Sequence, residues 1–280
     1  MSATAPGAIR RIARHRGAVV GGAILLVLAL AALTAPWLAP RDPIKTMPRD
    51  ALKPPGGAYV LGSDNLGRDV ASRALFGARL SLVVGLISVS IAIVIGTPVG
   101  LVAGYYAGRL DAVLMRVIDV MLAFPGILLA LAIVSVLTPG LGNVMIAVGL
   151  SAVPTYARLV RGSVLSTREN LYVEAARALG GGDLRIVTRY VLPNVVAPLI
   201  VTATLGLGTA ILASAALSFL GLGSQPPTPE WGRMLSEGRD YLREAWWIST
   251  FPGVGIMLTV LAMNLLGDGL RDVLDPRLKM

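Results

Sequence analysis

The sequence predicts an all-α integral membrane protein with six transmembrane helices, and three observations support this fold class. Hydrophobic residues make up 55% of the 280 residues, whereas charged residues make up only 15%. The mean hydropathy is +0.72, which is far above that of a soluble domain of this length. Several apolar stretches are also long enough to cross a bilayer core of about 30 Å.

The residue types that are missing exclude several classes of protein. The chain has no cysteine and one histidine, His15, so disulfides, thiolate metal sites and multi-histidine metal centres are excluded, and we expect no metal. No Gly-x4-Gly-Lys-Ser/Thr sequence is present, so we expect no nucleotide or other cofactor on this chain. A zinc-protease motif is absent, and a serine protease would lack a histidine partner in the membrane, so no catalytic residue is predicted. The net charge of +9 does not indicate nucleic acid as a partner, because the basic residues are spread between apolar stretches.

Six apolar stretches are predicted to span the membrane. The first follows a basic tail, residues 1–16, and is longer than the core of a cleaved signal peptide, so we expect it to be retained. A polar loop, residues 40–79, separates it from a core at 80–270, and residues 271–280 form a second tail. The predicted spans are 17–39, 80–106, 117–138, 141–160, 195–217 and 247–267.

The distribution of Lys and Arg predicts the orientation of the chain. Six spans place both termini on one side of the bilayer, together with residues 107–116 and a polar segment at 162–194. That side carries the larger share of the 25 Lys and Arg residues, although the loop 40–79 is also basic. The positive-inside rule therefore predicts that both termini are cytoplasmic and that residues 40–79 lie outside.

The polar segment 162–194 is predicted to begin with a short helix. Ser166 followed three positions later by Glu169 is a capping-box pattern. Good helix formers follow, so we expect a helix from about Thr167 to Leu179.

Three glycines, residues 180–182, are predicted to end this helix, because glycine adopts the left-handed conformation that closes a helix. Asp183 is placed to cap a second helix that runs towards Pro193. The first helix has an apolar face that is too small for a core of its own and suits docking into a groove, formed by Leu171, Ala175, Ala178 and Leu179.

This segment resembles the EAA loop of the permease subunits of ATP-binding-cassette importers. The family pattern is Glu-Ala-Ala, three residues, Gly, nine residues, then Ile-x-Leu-Pro. Tyr190 stands where the family has isoleucine, which keeps a large and mostly apolar side chain. The alternative is an ordinary surface helix between two spans. The residues that the resemblance assigns to ATPase coupling are Glu174, Ala175, Ala176, Leu179, Gly180, Leu192 and Pro193.

The resemblance implies a fold and a set of partners. It implies the type I importer permease fold in the bacterial inner membrane, with a cytoplasmic coupling helix in the EAA loop. It also implies a second homologous permease chain in a heterodimer, two cytoplasmic ATPase subunits that hold ATP and Mg, and an extracytoplasmic substrate-binding protein. The alternative from another class is a carrier or channel driven by an ion gradient, which would need ionisable residues near mid-membrane.

Two further segments resemble the peptide and nickel branch of these permeases. Residues 266–272, Leu-Gly-Asp-Gly-Leu-Arg-Asp, form one of them, followed by Asp275, Pro276 and Arg277. The resemblance predicts di- or oligopeptides as substrates, with nickel complexes, glutathione or another small solute as alternatives. The other segment, residues 60–82, matches at Gly62, Asp64, Gly67, Arg68, Asp69, Ser72, Arg73, Gly77 and Arg79.

Three acidic residues have both a structural and a functional interpretation. Asp64 and Asp69 are too few for calcium, which binds six or more oxygens, so local capping and salt bridging is the favoured use. A contact of Asp64, Arg68 and Asp69 with the binding protein is the functional alternative. Asp119 is expected to form a structural pair with Arg116, one helical turn away, in preference to a proton relay.

The fifth predicted span carries a stripe of small and weakly polar residues. Such a stripe is typical of close helix packing in lipid. By resemblance, this span also lines the translocation path at the subunit interface. The candidate pathway residues are Thr202, Gly206, Ala210, Ser214 and Ser218.

Overall fold

A computed structural model describes residue 13 and residues 15–274 of the chain. The basic residues of the predicted tail before His15 and the matched residues 275–277 lie outside the described part. The described helices are α1 (Arg16–Leu38), α2 (Val70–Tyr106), α3 (Gly108–Leu122), α4 (Gly126–Leu137), α5 (Leu141–Arg168), α6 (Leu171–Ala178), α7 (Asp183–Ile186), α8 (Leu192–Phe219), α9 (Trp231–Gly238) and α10 (Trp247–Leu274).

Five helical segments of the described chain are long and apolar enough to cross a membrane: α1, α2, α5, the stretch Asp183–Phe219 that contains α8, and α10. The third predicted span, 117–138, is not one straight helix. It is the pair α3 and α4, bent by 91° at residues 123–125. Pro125 lies at this break, where its missing N–H and its ring prevent the helix from continuing.

The bent pair connects the two opposite ends of the bundle and therefore counts as one crossing of the membrane. α3 begins directly after α2, whose Tyr105 hydroxyl donates a hydrogen bond to Asp183 at 2.7 Å. Beyond α4, the N–H of Gly140 donates to the carbonyl of Leu222 at 3.0 Å. Because Asp183 and Leu222 lie beyond opposite ends of α8, the chain crosses between them, which gives six spans in total.

The second span begins ten residues earlier than predicted, at Val70 instead of residue 80. Asp69 is its N-cap, since its Oδ2 accepts hydrogen bonds from the N–H and hydroxyl of Ser72, both at 2.7 Å. Arg73 made this stretch resemble a loop in the sequence, but its side chain is buried and paired with acidic residues. Charge was therefore a poor guide to the start of the helix.

The most extensive helix–helix contact of the described bundle is between α2 and α5. Gly96, Gly100 and Gly104 lie four residues apart on α2, and a β-carbon at any of them would lie within 3 Å of α5 atoms. At Gly100, for example, it would lie 2.4 Å from the carbonyl oxygen of Ala157. These three glycines, here called the glycine seam, let the two backbones approach closely, as small residues do in membrane helices.

Candidate functional site

The helix α6 carries the Glu-Ala-Ala sequence, and it begins later than predicted. It starts at Leu171, with Asn170 as its N-cap. The predicted capping box of Ser166 and Glu169 is wrong, because α5 continues through Ser166 and ends at Arg168. Glu169 is the C-cap of α5.

The end of α6 confirms the predicted role of glycine. Gly180 has φ +78°, in the left-handed region, and its N–H donates to the carbonyl of Arg177 at 3.0 Å. The N–H of Gly181 donates to the carbonyl of Ala176, also at 3.0 Å. These two bonds form a Schellman motif, which satisfies carbonyls that the helix end leaves free.

Asp183 does not cap the second helix as predicted. The N-cap of α7 is Gly182, and Asp183 is the first helical residue. Its carboxylate instead accepts the hydrogen bond from Tyr105 at the end of α2. The helix runs towards Pro193 as predicted, because one turn of π-helix, Val187–Val191, joins α7 to α8.

Buried contacts hold this loop firmly against the spans. Val173 of α6, Ile186 of α7 and Val191 are fully buried in one cluster with Tyr105 and with residues of α5 and α8. The guanidinium of Arg168 donates to the carbonyls of Gly104 and Tyr105 at 3.2 and 3.4 Å. The loop is therefore attached to α2, α5 and α8 together.

Tyr190 has a specific packing partner in this protein. Its ring lies against that of Tyr172 in α6, with centroids 6.4 Å apart. Asn194 joins the two, because its amide donates to the carbonyl of Tyr190 at 2.7 Å and to the hydroxyl of Tyr172 at 3.3 Å. The exchange of isoleucine for tyrosine is thus accommodated by an aromatic contact between α6 and the start of α8.

The opposite face of the loop is exposed and apolar. Leu171, Leu179 and Leu184 are 81%, 88% and 79% exposed. Exposed large apolar groups that cluster on a rigid element indicate a surface for another protein. Leu184 was missed from the sequence, because it lies beyond the glycines in a different helix. Of the predicted coupling residues, Ala176 and Leu192 are half-buried, and the exposed ones are Glu174, Ala175, Leu179, Gly180 and Pro193.

Two cavities of about 710 Å³ each lie between α5 and α8. The first extends towards α2 and α4, and the second reaches the end of α10. They adjoin, since Thr202 and Leu205 line both. The α5 residues that line them recur at helical spacing and form one continuous face: Val148, Ser151, Ala152, Thr155, Leu159, Ser163 and Ser166.

Three of the five predicted pathway residues line a cavity, and the other two do not. Thr202, Gly206 and Ala210 line the first cavity. Ser214 and Ser218 are buried away from it, and the hydroxyl of Ser218 accepts a hydrogen bond from the backbone N–H of Ser224 at 3.3 Å. Residues four apart in a helix differ in direction by about 40°, because four residues make slightly more than one turn. Five residues at this spacing therefore cannot all lie on one face of the helix.

Asp64 and Arg68 belong to a buried ionic network, whereas Asp69 caps α2. Arg68 donates to Asp64 at 2.6 Å and to Glu237 of α9 at 2.7 Å, and Arg73 donates to Glu237 at 2.9 Å. The structural interpretation, capping and salt bridging, is therefore confirmed. No group of acidic residues in the described chain is arranged to hold a metal ion.

The three residues predicted to contact a binding protein are almost completely buried. Asp64, Arg68 and Asp69 are only 1–2% exposed, so their side chains offer almost no surface to another molecule. The prediction that these three residues make the contact does not fit the structure, because their polar groups already serve the network and the N-cap of α2.

Asp119 forms a structural pair, but with a different partner from the one predicted. Its carboxylate accepts a hydrogen bond from Arg158 of α5 at 2.6 Å, where Arg116 was expected. Nearby, Asp111 forms a two-bond pair with Arg161 at 2.6 and 2.7 Å. The two pairs attach α3 to α5.

Glu230 is a buried carboxyl group that sequence reasoning missed. It lies at the start of α9, where it accepts hydrogen bonds from the N–H groups of Gly232 and Arg233, both at 2.9 Å. Burial raises the pKa of Glu230, and the two N–H donors oppose this only in part. Glu230 occupies the N-cap position directly before Trp231. Helix propensity alone does not identify such a position in the sequence.

Two family profiles match the chain. The family described as "Binding-protein-dependent transport system inner membrane component" matches residues 96–280. The family described as "N-terminal TM domain of oligopeptide transport permease C" matches residues 7–55. The two matches cover most of the described helices.

Three relatives are similar over nearly their whole length. The di/tripeptide transport system permease protein DppC of Pseudomonas aeruginosa is 50% identical, over 95% of this chain and 90% of that protein. The dipeptide transport system permease protein DppC of Haemophilus influenzae is 45% identical, over 95% and 92%. The glutathione transport system permease protein GsiD of Pectobacterium atrosepticum is 47% identical, over 96% and 90%.

A solved structure shares the fold. An inward-facing structure of the MetNI methionine ABC transporter superposes with a TM-score of 0.59 at 23% identity, over 70% of this chain and 94% of that chain. Together with the apolar spans and the family profiles, this makes the chain a multi-pass inner-membrane protein of the type I importer permease fold. The chain therefore belongs to the family of binding-protein-dependent transport system inner membrane components, and it is a permease of an ATP-binding-cassette importer.

Proposed function

We propose that this permease forms one half of the membrane path of an importer for di- or oligopeptides. A related permease chain supplies the other half as a heterodimer partner, two cytoplasmic ATPase subunits bind and hydrolyse ATP with Mg, and an extracytoplasmic binding protein delivers the peptide. Two relatives whose names specify dipeptides or di/tripeptides, with 50% and 45% identity, support the substrate class.

The observation that carries the proposal is the exposed apolar face of the EAA loop. Burial of one leucine side chain contributes roughly 1.5–3 kcal/mol. Leu171, Leu179 and Leu184 together therefore provide a large driving force for docking into a groove of an ATPase subunit. Glu174, exposed on the same helix, is available to a basic group of that subunit.

The mechanism that we propose is alternating access. The ATPase subunits approach one another when they bind ATP and pull the loop with them. Because Val173, Ile186 and Asp183 fix the loop to three spans, the movement passes to α2, α5 and α8 without being absorbed in the loop. ATP shifts the balance between inward-facing and outward-facing states only by binding them with different affinities.

The orientation of the proposal has both termini and the EAA loop in the cytoplasm. The Lys and Arg distribution supports it, because the side of the EAA loop is richer in basic residues. The ionic network of Arg68, Arg73 and Glu237 then lies at the extracytoplasmic end of the bundle.

Glutathione is the second candidate substrate. The 47% identity to a permease named for glutathione transport favours it. Glutathione is itself a small peptide, and the first cavity is lined by apolar and hydroxyl-bearing residues that do not discriminate between such solutes by charge.

The proposal is tested by uptake into proteoliposomes that contain this chain, its partner permease and both ATPase subunits, supplied with the binding protein of the same system. We expect uptake of radiolabelled dialanine that requires both ATP and the binding protein. Uptake of glutathione without uptake of dialanine would assign the second candidate. Equal uptake in the absence of the ATPase subunits would overturn the proposed coupling.

A further inference from the structure

We propose that Arg271, in the last turn of α10, binds the carboxylate group of the solute as it leaves the membrane path. This inference rests on the proposed function, because it takes a peptide as the solute. It assigns a solute-binding role to a residue outside the EAA loop and outside the predicted pathway stripe.

The two cavities form one path of nearly membrane length. On α8 the lining residues extend from Pro193 to Ala216, which spans about 35 Å at the helical rise of about 1.5 Å per residue. The path passes from the first cavity to the second at Thr202 and Leu205, which belong to both. A solute that moves along α8 therefore enters the second cavity before it leaves the bundle.

Charge distinguishes the two parts of this path. The described residues that line the first cavity include no charged side chain. Those that line the second include one, Arg271, beside the end of the EAA loop at Pro193 and Asn194. Among the described residues that line the path, an anionic group thus meets its first cationic side chain at Arg271.

The chemistry of the second cavity fits a carboxylate. A guanidinium group presents paired N–H donors that match the two oxygens of a carboxylate, and mostly apolar walls strengthen the attraction. The hydroxyls of Ser163 and Thr167 donate their hydrogens to backbone carbonyls at 3.1 and 2.7 Å. Their oxygens keep lone pairs that can accept hydrogen bonds from the ammonium group of a peptide.

The turn that carries Arg271 is held in place from its other side. Asp272 lies 3.1 Å from Nε2 of His15. The Nδ1 of His15 accepts a hydrogen bond from the N–H of Ala18, so its Nε2 carries the hydrogen that faces Asp272. At Gly269 a β-carbon would lie 2.4 Å from Cβ of Ala18, which shows how closely α10 packs on α1.

A purely structural role is the alternative for Arg271, because a cation near a helix C-terminus interacts favourably with the helix dipole. That role predicts no difference between solutes with and without a carboxylate. A comparison of two peptides that differ only in this group therefore separates the two roles.

The test uses the absence of cysteine in this chain. Ser166→Cys places one thiol in the second cavity. The assembled transporter is treated with a fluorescent maleimide in the presence of dialanine or dialanine amide, and labelling of this chain is measured on a gel. We expect dialanine to slow labelling and the amide to require about tenfold higher concentration, the loss expected for one charge-assisted hydrogen bond.

Substitution of Arg271 extends the test. In the same background, Arg271→Gln should raise the dialanine concentration needed for protection about tenfold, to that of the amide, and Arg271→Lys should retain most of the protection. Arg109→Gln is the matched control, because it removes an exposed cation next to the start of α3, outside both cavities. It should leave protection unchanged.

Equal protection by dialanine and its amide would overturn the proposal, and so would unchanged protection in Arg271→Gln. If that variant fails to assemble, the comparison of the two peptides on the parent background still decides. ATP-dependent uptake of dialanine by the parent transporter is measured separately. Failure of peptide transport is thereby distinguished from failure of the role of Arg271.

Discussion

Leu179 is the most exposed of the three exposed leucines on the EAA loop, and it lies directly before the glycine that ends α6. Its side chain makes little contact within this chain, so a change there acts on a partner more than on the fold. Glu230 is the opposite case: its carboxyl group is buried, and any change there acts on the fold itself. Each residue leads to a prediction.

Leu179→Asp is expected to weaken docking of the ATPase subunits more than tenfold. The variant removes an apolar group that contributes roughly 1.5–3 kcal/mol on burial and places a charge at the contact. Co-purification of the ATPase subunits and stimulated ATP hydrolysis measure the effect. Leu179→Met should behave like the parent, and full ATPase binding by Leu179→Asp would contradict a docking role for this face.

Glu230→Gln is expected to change how stability depends on pH. The pKa of Glu230 is raised above its ordinary value of 4.5, so its contribution to stability is fully present below pH 4.5 and is lost as the pH rises through the raised pKa. A glutamine stays neutral and should remove this loss. Melting temperatures of the detergent-solubilised protein between pH 4 and 8 test this, and parallel curves for both proteins would argue against it.

The sequence was informative where a residue acts on its immediate neighbours. Gly180 closes α6 as predicted, because the signal for a left-handed helix end lies within a few residues. The pairing of Arg73 with Glu237 joins residues 164 positions apart, and no local pattern contains it. Leu184 was missed for the same reason, since its exposure depends on how α7 packs against the spans.

Helices in this bundle are joined in two different ways. α2 and α5 meet at the glycine seam, where packing depends on the absence of side chains. The start of α2 is joined to α9 instead by charges, through Glu237 and two arginines. The break between α3 and α4 was missed because an apolar run of suitable length predicts a span and gives no information about its direction.

Gly100→Ala is expected to destabilise the glycine seam. Its methyl group would lie 2.4 Å from the carbonyl of Ala157, and overpacking of this kind costs about 1–3 kcal/mol. Gly162→Ala on α5 is the control, because nothing lies within 4 Å of its added methyl group. Thermal unfolding in detergent should show a lower melting temperature for the first variant alone, and equal melting temperatures would refute close approach at the seam.

Glu237→Gln is expected to destabilise the end of the bundle that carries the ionic network. It leaves the buried guanidinium groups of Arg68 and Arg73 with Asp64 as the one acidic side chain they share, where the native protein has two. Loss of one partner from a buried ion pair costs about 3–5 kcal/mol, and the remaining pairing with Asp64 should reduce this cost. The exposed Glu244 provides a matched control as Glu244→Gln. Melting temperatures of the two variants should differ clearly, and a stable Glu237→Gln would show that the network contributes little.

At the scale of the whole molecule, six crossings leave two ends of the bundle with different properties. One end carries the EAA loop with its exposed leucines, and the other carries the buried ionic network. The sequence predicted the number of crossings through hydropathy. The path between α5 and α8 was only partly predicted, because its α5 wall is recognisable only once the two helices are placed side by side.

The orientation is tested by single cysteines in intact cells. Glu174→Cys and Lys53→Cys lie at opposite ends of the bundle, and both positions are exposed. We expect a membrane-impermeant maleimide to label only Lys53→Cys from outside and both after permeabilisation. Labelling of Glu174→Cys in intact cells would place the EAA loop outside and reverse the orientation.

The glycine seam has a consequence for which helices of the bundle can move relative to one another. At the seam only the α5 side chains lie between the two backbones, so the helices have little room to slide, and we expect α2 and α5 to move as one rigid unit. α3 is attached to the same unit by the ion pairs that Asp111 and Asp119 form with α5. Because both cavities lie between α5 and α8, we expect the path to widen by movement of α8 relative to this unit.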